Sequence, residues 1–177
     1  MADAGEPWLR GTLMEVDAVR RQVLHALELA SEDVERWCAG LSDAEVNARP
    51  HGLAPVAFHL RHIARSLDRL LTYAEGGSLS EAQMEALGSE MDGGAFAGDV
   101  MEEVRTGLEK GRRRVMAIDA GSYEEARRVG RAGLPGTVGG LMVHCAEHTQ
   151  RHVGQAVTTA KVLMEMRCSA QSTALNG

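Results

Sequence analysis

Residues 137–167 read TVGGLMVHCAEHTQRHVGQAVTTAKVLMEMR. One seam runs through the whole stretch: Val138, Leu141, Cys145, His148, His152, Gln155, Thr159, Val162 and Met166. Steps of three and four alternate along it without a slip, which is the signature of a long helix packed lengthwise against other helices. The two ends of the seam are apolar, but its middle is not. A bundle does not bury two imidazoles one turn apart unless hydrogen bonds or a ligand satisfy them. His148 and His152 stand at i and i+4 on one face, so their ring nitrogens can converge on one ion.

Three more helices are expected upstream. The first runs from Pro7 to Cys38, with Leu9, Leu13, Val16, Val23, Leu27, Ala30, Val34 and Trp37 inward; Arg20 interrupts the pattern and Gly40 ends it. A loop with Pro50, Gly52 and Pro55 leads to a second helix over 55–75, carrying Val56, Leu60, Ile63, Leu67, Leu70 and Ala74. Ser80 and Gln83 form a capping box for a short helix over 80–91. A third main helix spans 96–119, with Val100, Val104, Leu108 and Val115 inward and Gly107 and Gly111 as weak points. Residues 121–136 are rich in Gly and Arg and read as irregular chain with a short extended turn. The expectation is an all-α four-helix bundle with long connections, one domain over 1–168 and a frayed tail over 169–177.

Bulk composition agrees with this class. The chain has 177 residues, 44% hydrophobic and 25% charged, with only 3% aromatic residues. Its formal net charge is −6 and its pI about 5.6, which argues against a nucleic-acid partner, since phosphate neutralisation needs clustered cations. Arg112, Arg113 and Arg114 are diluted by Glu102, Glu103 and Glu109 and read as a solvated face. No apolar run is long enough to cross a bilayer, so no membrane role is expected. The start, MADAGE, lacks the apolar stretch of a secretory signal. Three cysteines, Cys38, Cys145 and Cys168, form no pairing framework, and a cytoplasmic location is expected.

Seven histidines are present, five of them on two helices: His59 and His62, then His144, His148 and His152. His25 and His51 look incidental. A third ligand for an ion at His148 and His152 must come from another helix. Periodicity favours His59, nearer the apolar seam, over His62 at its edge, but does not decide between them.

Two other metal chemistries fail on spacing. His144-Cys145-Ala146-Glu147-His148 spells the H-x-x-E-H of inverted zinc peptidases. That chemistry needs another acidic ligand well downstream, and Glu165 on the same helix is the sole candidate. A ferritin-like di-iron site needs E-x-x-H twice; no histidine here has a Glu three residues before it. Cys145 sits on the seam as a soft ligand or nucleophile in one reading and as a small buried hydrophobe in the favoured one.

His62-Ile63-Ala64, followed much later by His148-Thr149-Gln150-Arg151-His152-Val153-Gly154-Gln155, resembles the DinB-like superfamily of damage-inducible four-helix metalloproteins related to YfiT. The family pattern is His-aliphatic-Ala on the second helix and H-x-x-x-H-x-G-Q on the fourth. The resemblance implies His62, His148 and His152 as ligands of one zinc or nickel ion. Where many members carry a basic residue after the last ligand, this chain has Val153. The resemblance further implies a thiol S-transferase, in which a low-molecular-weight thiol such as bacillithiol, mycothiol or glutathione attacks an electrophile. In that reading Glu147 orients a ligand or takes a proton. Arg65, Arg69 and Arg151 meet the carboxylates of the thiol, and His59, His144 and Gln155 line the site. It also implies a stress response and a homodimer. The alternatives are a metal-dependent hydrolase and a non-enzymatic metal-binding protein.

Overall fold

The computed structural model describes residues 5–175; Met1 to Ala4 and the last two residues lie outside it. The described residues form six helices and one small hairpin: α1 (Ala18–Cys38), α2 (Asp43–Asn47), α3 (Val56–Ala74), α4 (Glu81–Gly88), α5 (Ala97–Ala117), β1 (Ala126–Val129), β2 (Leu134–Thr137) and α6 (Val138–Leu175). The four long ones, α1, α3, α5 and α6, make the bundle. α3 packs against both α5 and α6, and α1 against α6 and α5. Their apolar faces meet in one core that includes Leu27, Val34, Leu60, Ile63, Leu67, Leu71, Val104 and Met142.

The first helix is shorter than its seam suggests. Pro7–Leu9 is a single tight turn, and Gly11 (φ +69°) and Leu13 (φ +58°) then take left-handed backbone that no helix contains. α1 begins only where the Asp17 side chain accepts from the Val19 and Arg20 amides. Leu9, expected inward, is exposed. Two short helices punctuate the connections. The Ser80–Gln83 capping box starts α4, and a second one, Ser42–Glu45, starts α2, which hydrophobic periodicity does not signal in so short a piece.

The segment expected to be irregular holds the hairpin, β1 pairing antiparallel with β2 from Ala126↔Thr137 to Val129↔Leu134. Gly130 and Gly133, both at positive φ, make its turn. α6 follows immediately. It continues past Arg167 to Leu175, because no Gly or Pro interrupts residues 161–175; the final two residues of the expected frayed tail lie outside the described residues.

The seam of α6 is also displaced. Its most buried positions are Val138, Met142, Cys145, Thr149, Val153, Ala156 and Ala160. His148 and His152 are half-buried, on the border that faces α3, while Gln155 and Met166 are exposed. α6 is wedged between α1 and α3, so small residues fill the centre and the polar seam runs along the flank.

Close approach of α3 and α5 has a specific cause. A Cβ on Gly107 would stand 2.6 Å from the Ala64 Cβ, and one on Gly111 would stand 2.3 Å from Leu67 Cδ2. The glycines that weaken α5 as an isolated helix are what let it lie against α3. No helix among the described residues is long and apolar enough to cross a membrane.

Candidate metal centre

α3 and α6 present their histidines to each other. His62 Nε2 lies 2.8 Å from His148 Nε2, and the His62 and His152 rings are 4.2 Å apart between centroids. One ring nitrogen from each of His62, His148 and His152 lies within 4.8 Å of the other two. Helix periodicity explains the α6 pair. The third member is at the edge of the apolar face of α3, the edge that turns toward α6.

An outer layer of side chains holds these rings. His59, buried behind the group, places Nδ1 3.1 Å from His152 Nδ1, which leaves His152 Nε2 free. His62 Nδ1 lies 2.6 Å from Oε2 of Glu90, a buried carboxylate that also accepts from Arg69 at 2.7 Å. Burial pushes the Glu90 carboxyl up, but the hydrogen bonds from His62 and Arg69 outweigh it and hold the group below its ordinary value. His148 Nδ1 is buried and has no hydrogen-bond partner among the described residues.

Glu90 was not visible in the sequence. It sits in the glycine-flanked stretch between α4 and α5 and bears no periodic relation to any histidine. The one available sign was a row of arginines at i, i+4 and i+8 on α3. Arg61 donates to the Asp92 carbonyl (3.0 Å), Arg65 to the Ala86 carbonyl (2.7 Å) and Arg69 to Glu90. Together they clamp the segment that delivers Glu90.

The remaining sequence candidates are placed as follows. Arg65 is committed to Glu103 (2.6 Å) and to the α4 end, so its guanidinium faces protein groups rather than the histidines. Glu147 is exposed and pairs with Arg151 and, at 3.4 Å, with His144. His144 stacks its ring 5.3 Å from that of His148 and is largely open to solvent. Gln155 makes no hydrogen bond to the three histidines; it lines a groove of about 310 Å³ with His59, Arg151, Thr158 and Thr159. Cys145 is fully buried, and burial pushes its thiol up to about 12, which fits an inert core residue. His25, taken as incidental, is buried in α1 with Nε2 3.2 Å from Thr12 Oγ1.

The donor set suits a divalent cation. Burial, reinforced by the neighbouring His62 ring, pushes His148 and His152 down to about 4, so both are neutral with a bare nitrogen at pH 7. Zinc–nitrogen bonds of about 2.0–2.1 Å at tetrahedral angles set two donors about 3.3 Å apart. The His62–His148 pair, at 2.8 Å, lies a little inside that value, and His152 offers a nitrogen within 4.8 Å of both.

A second cleft of about 450 Å³ opens between α3, α4 and α5 and contains none of the three histidines. Several of its charged groups pair with one another: Asp68 holds Lys110 and Arg114, and Glu103 holds Arg65.

A crystal structure of a conserved protein from Enterococcus faecalis shares the fold, with a TM-score of 0.68 at 18% identity over 83% of this chain and 98% of that one. None of the curated proteins matches the sequence. A family match extends over residues 15–156, most of the bundle and all three histidines, and it shows that the chain belongs to the DinB superfamily.

Proposed function

We propose that the protein binds one divalent metal ion, zinc or nickel, through His62, His148 and His152, and uses it to transfer a low-molecular-weight thiol to a small electrophile. The observation that carries the reading is the convergence of three imidazole nitrogens from two helices, with no carboxylate among them. Three protein ligands leave a coordination position open, as catalytic rather than structural sites do. A divalent ion held there lowers the pKa of a bound thiol and keeps it as thiolate.

The chain's own residues supply orientation and access. Glu90 and His59 fix the rings of His62 and His152 from behind. The groove beside His59 offers Arg151, Gln155 and Thr158 to a polar ligand next to the centre. Arg151 is the cation available for a thiol carboxylate, since it lies exposed with only Glu147 as a partner, whereas Arg65 is locked between Glu103 and α4. The same reading takes a second copy of the chain as partner and stress detoxification in the cytoplasm as the setting.

A turnover assay with model electrophiles tests it. Product should form only when metal and a thiol such as bacillithiol, mycothiol or glutathione are both present. Equal turnover without thiol would instead indicate a hydrolase, and no turnover with any thiol would leave a metal-binding protein.

A further inference from the structure

The buried carboxylate of Glu90 stands outside the three-histidine group and has no role in the family pattern. A charge this deeply buried needs full compensation. Here it has two strong donors, the His62 ring at 2.6 Å and the Arg69 guanidinium at 2.7 Å. An ionised carboxylate accepts and cannot donate, so the proton between Glu90 and His62 belongs to His62 Nδ1. Which nitrogen of a neutral imidazole carries the proton is set by the bond its other nitrogen makes. With Nδ1 held by Glu90, Nε2 is the atom that faces His148.

We propose that Glu90 is a positioning residue that anchors His62 through Nδ1 and so turns Nε2 toward His148 and the centre. Arg61, Arg65 and Arg69 hold the segment bearing Glu90 against α3, which makes this part of the α4–α5 connection an element of the site although no residue in it belongs to the group. The proposal rests on reading the three histidines as a metal centre.

The test combines long-range ¹H–¹⁵N correlation of the histidine side chains in metal-free protein with zinc affinity by chelator competition, for the wild type, Glu90→Gln and Glu90→Ala. The expected wild-type signal shows His62 protonated at Nδ1. Removing such a carboxylate partner weakens metal binding about 10- to 100-fold, so Glu90→Ala should lose affinity in that range. Glu90→Gln, which keeps an acceptor oxygen, should lose less. A His62 ring bare at Nδ1 in the wild type overturns the proposal, as does zinc binding by a folded Glu90→Ala within twofold of wild type. If Glu90→Ala does not fold, the wild-type tautomer and Glu90→Gln decide. Failure of the wild type to bind zinc would overturn the metal reading instead, with the tautomer still deciding the role of Glu90.

Discussion

His59 and His152 meet Nδ1 to Nδ1 at 3.1 Å, one on α3 and one on α6, with His59 almost wholly buried. This contact separates the two histidines of α3 by role: His62 faces the group, and His59 braces a member of it from behind.

His62→Ala should therefore reduce zinc affinity more than His59→Ala. The first removes a donor nitrogen; the second removes only a partner of His152, with an expected loss of about 10- to 100-fold. Isothermal titration with zinc compares them. The opposite order would assign the ligand role to His59.

Periodicity alone leaned the other way. The seam of α3 puts His59 nearer the apolar face, and the structure does bury it more deeply than His62. The more buried of the two is not the better placed to bind an ion, since a ligand needs a bare nitrogen on an open side. His148 and His152 were legible because one helix sets both. His62 became legible through the His-Ile-Ala motif of a related family. Glu90 was not legible, because a connection between helices has no period and only its tertiary clamp explains its place. The helices themselves were readable wherever length and amphipathicity agreed, as in α3 and α5. α2 escaped for want of length, and the start of α1 was misread because apolar residues at helical spacing continue through Gly11 and Leu13 into non-helical backbone.

The metal-free protein should lose stability as the solution is acidified from about pH 6.5 toward 4. Burial first, and then neighbouring rings, hold His59, His148 and His152 at about 4, against 6.5 for an ordinary histidine. In that window the unfolded chain takes up protons that the folded chain refuses, so stability is complete above it and falls through it. One such ring contributes a loss of about 2 kcal/mol at pH 5. Urea denaturation of chelator-treated protein at pH 7.5 and pH 5 measures this; equal midpoints would contradict the buried, neutral state of the rings.

Two glycine substitutions should act in opposite directions. Gly107→Ala places a methyl 2.6 Å from Ala64 Cβ and 2.9 Å from its Cα, where backbone must shift, and should destabilise by about 1–3 kcal/mol. Gly154→Ala, in α6 with nothing within 4 Å of the added carbon, should stabilise by up to about 1 kcal/mol. Thermal denaturation of both variants checks the pair; a stabilised Gly107→Ala would mean that α3 and α5 are further apart than described.

Arg151→Gln should leave zinc content intact and raise the KM for a carboxylate-bearing thiol, because Arg151 lines the groove without belonging to the histidine group. Steady-state kinetics beside metal analysis separates the two effects. Loss of zinc in this variant would place Arg151 in the support of the metal rather than of the ligand.

The central claim is that His62, His148 and His152 hold one ion. Elemental analysis of untagged protein, purified without chelator and then supplied with zinc or nickel, tests it most directly, beside His148→Ala and the exposed His51→Ala. About one metal per chain in the wild type and in His51→Ala, with almost none in His148→Ala, is the result this account predicts. No metal in the wild type, or equal metal in all three, would contradict it.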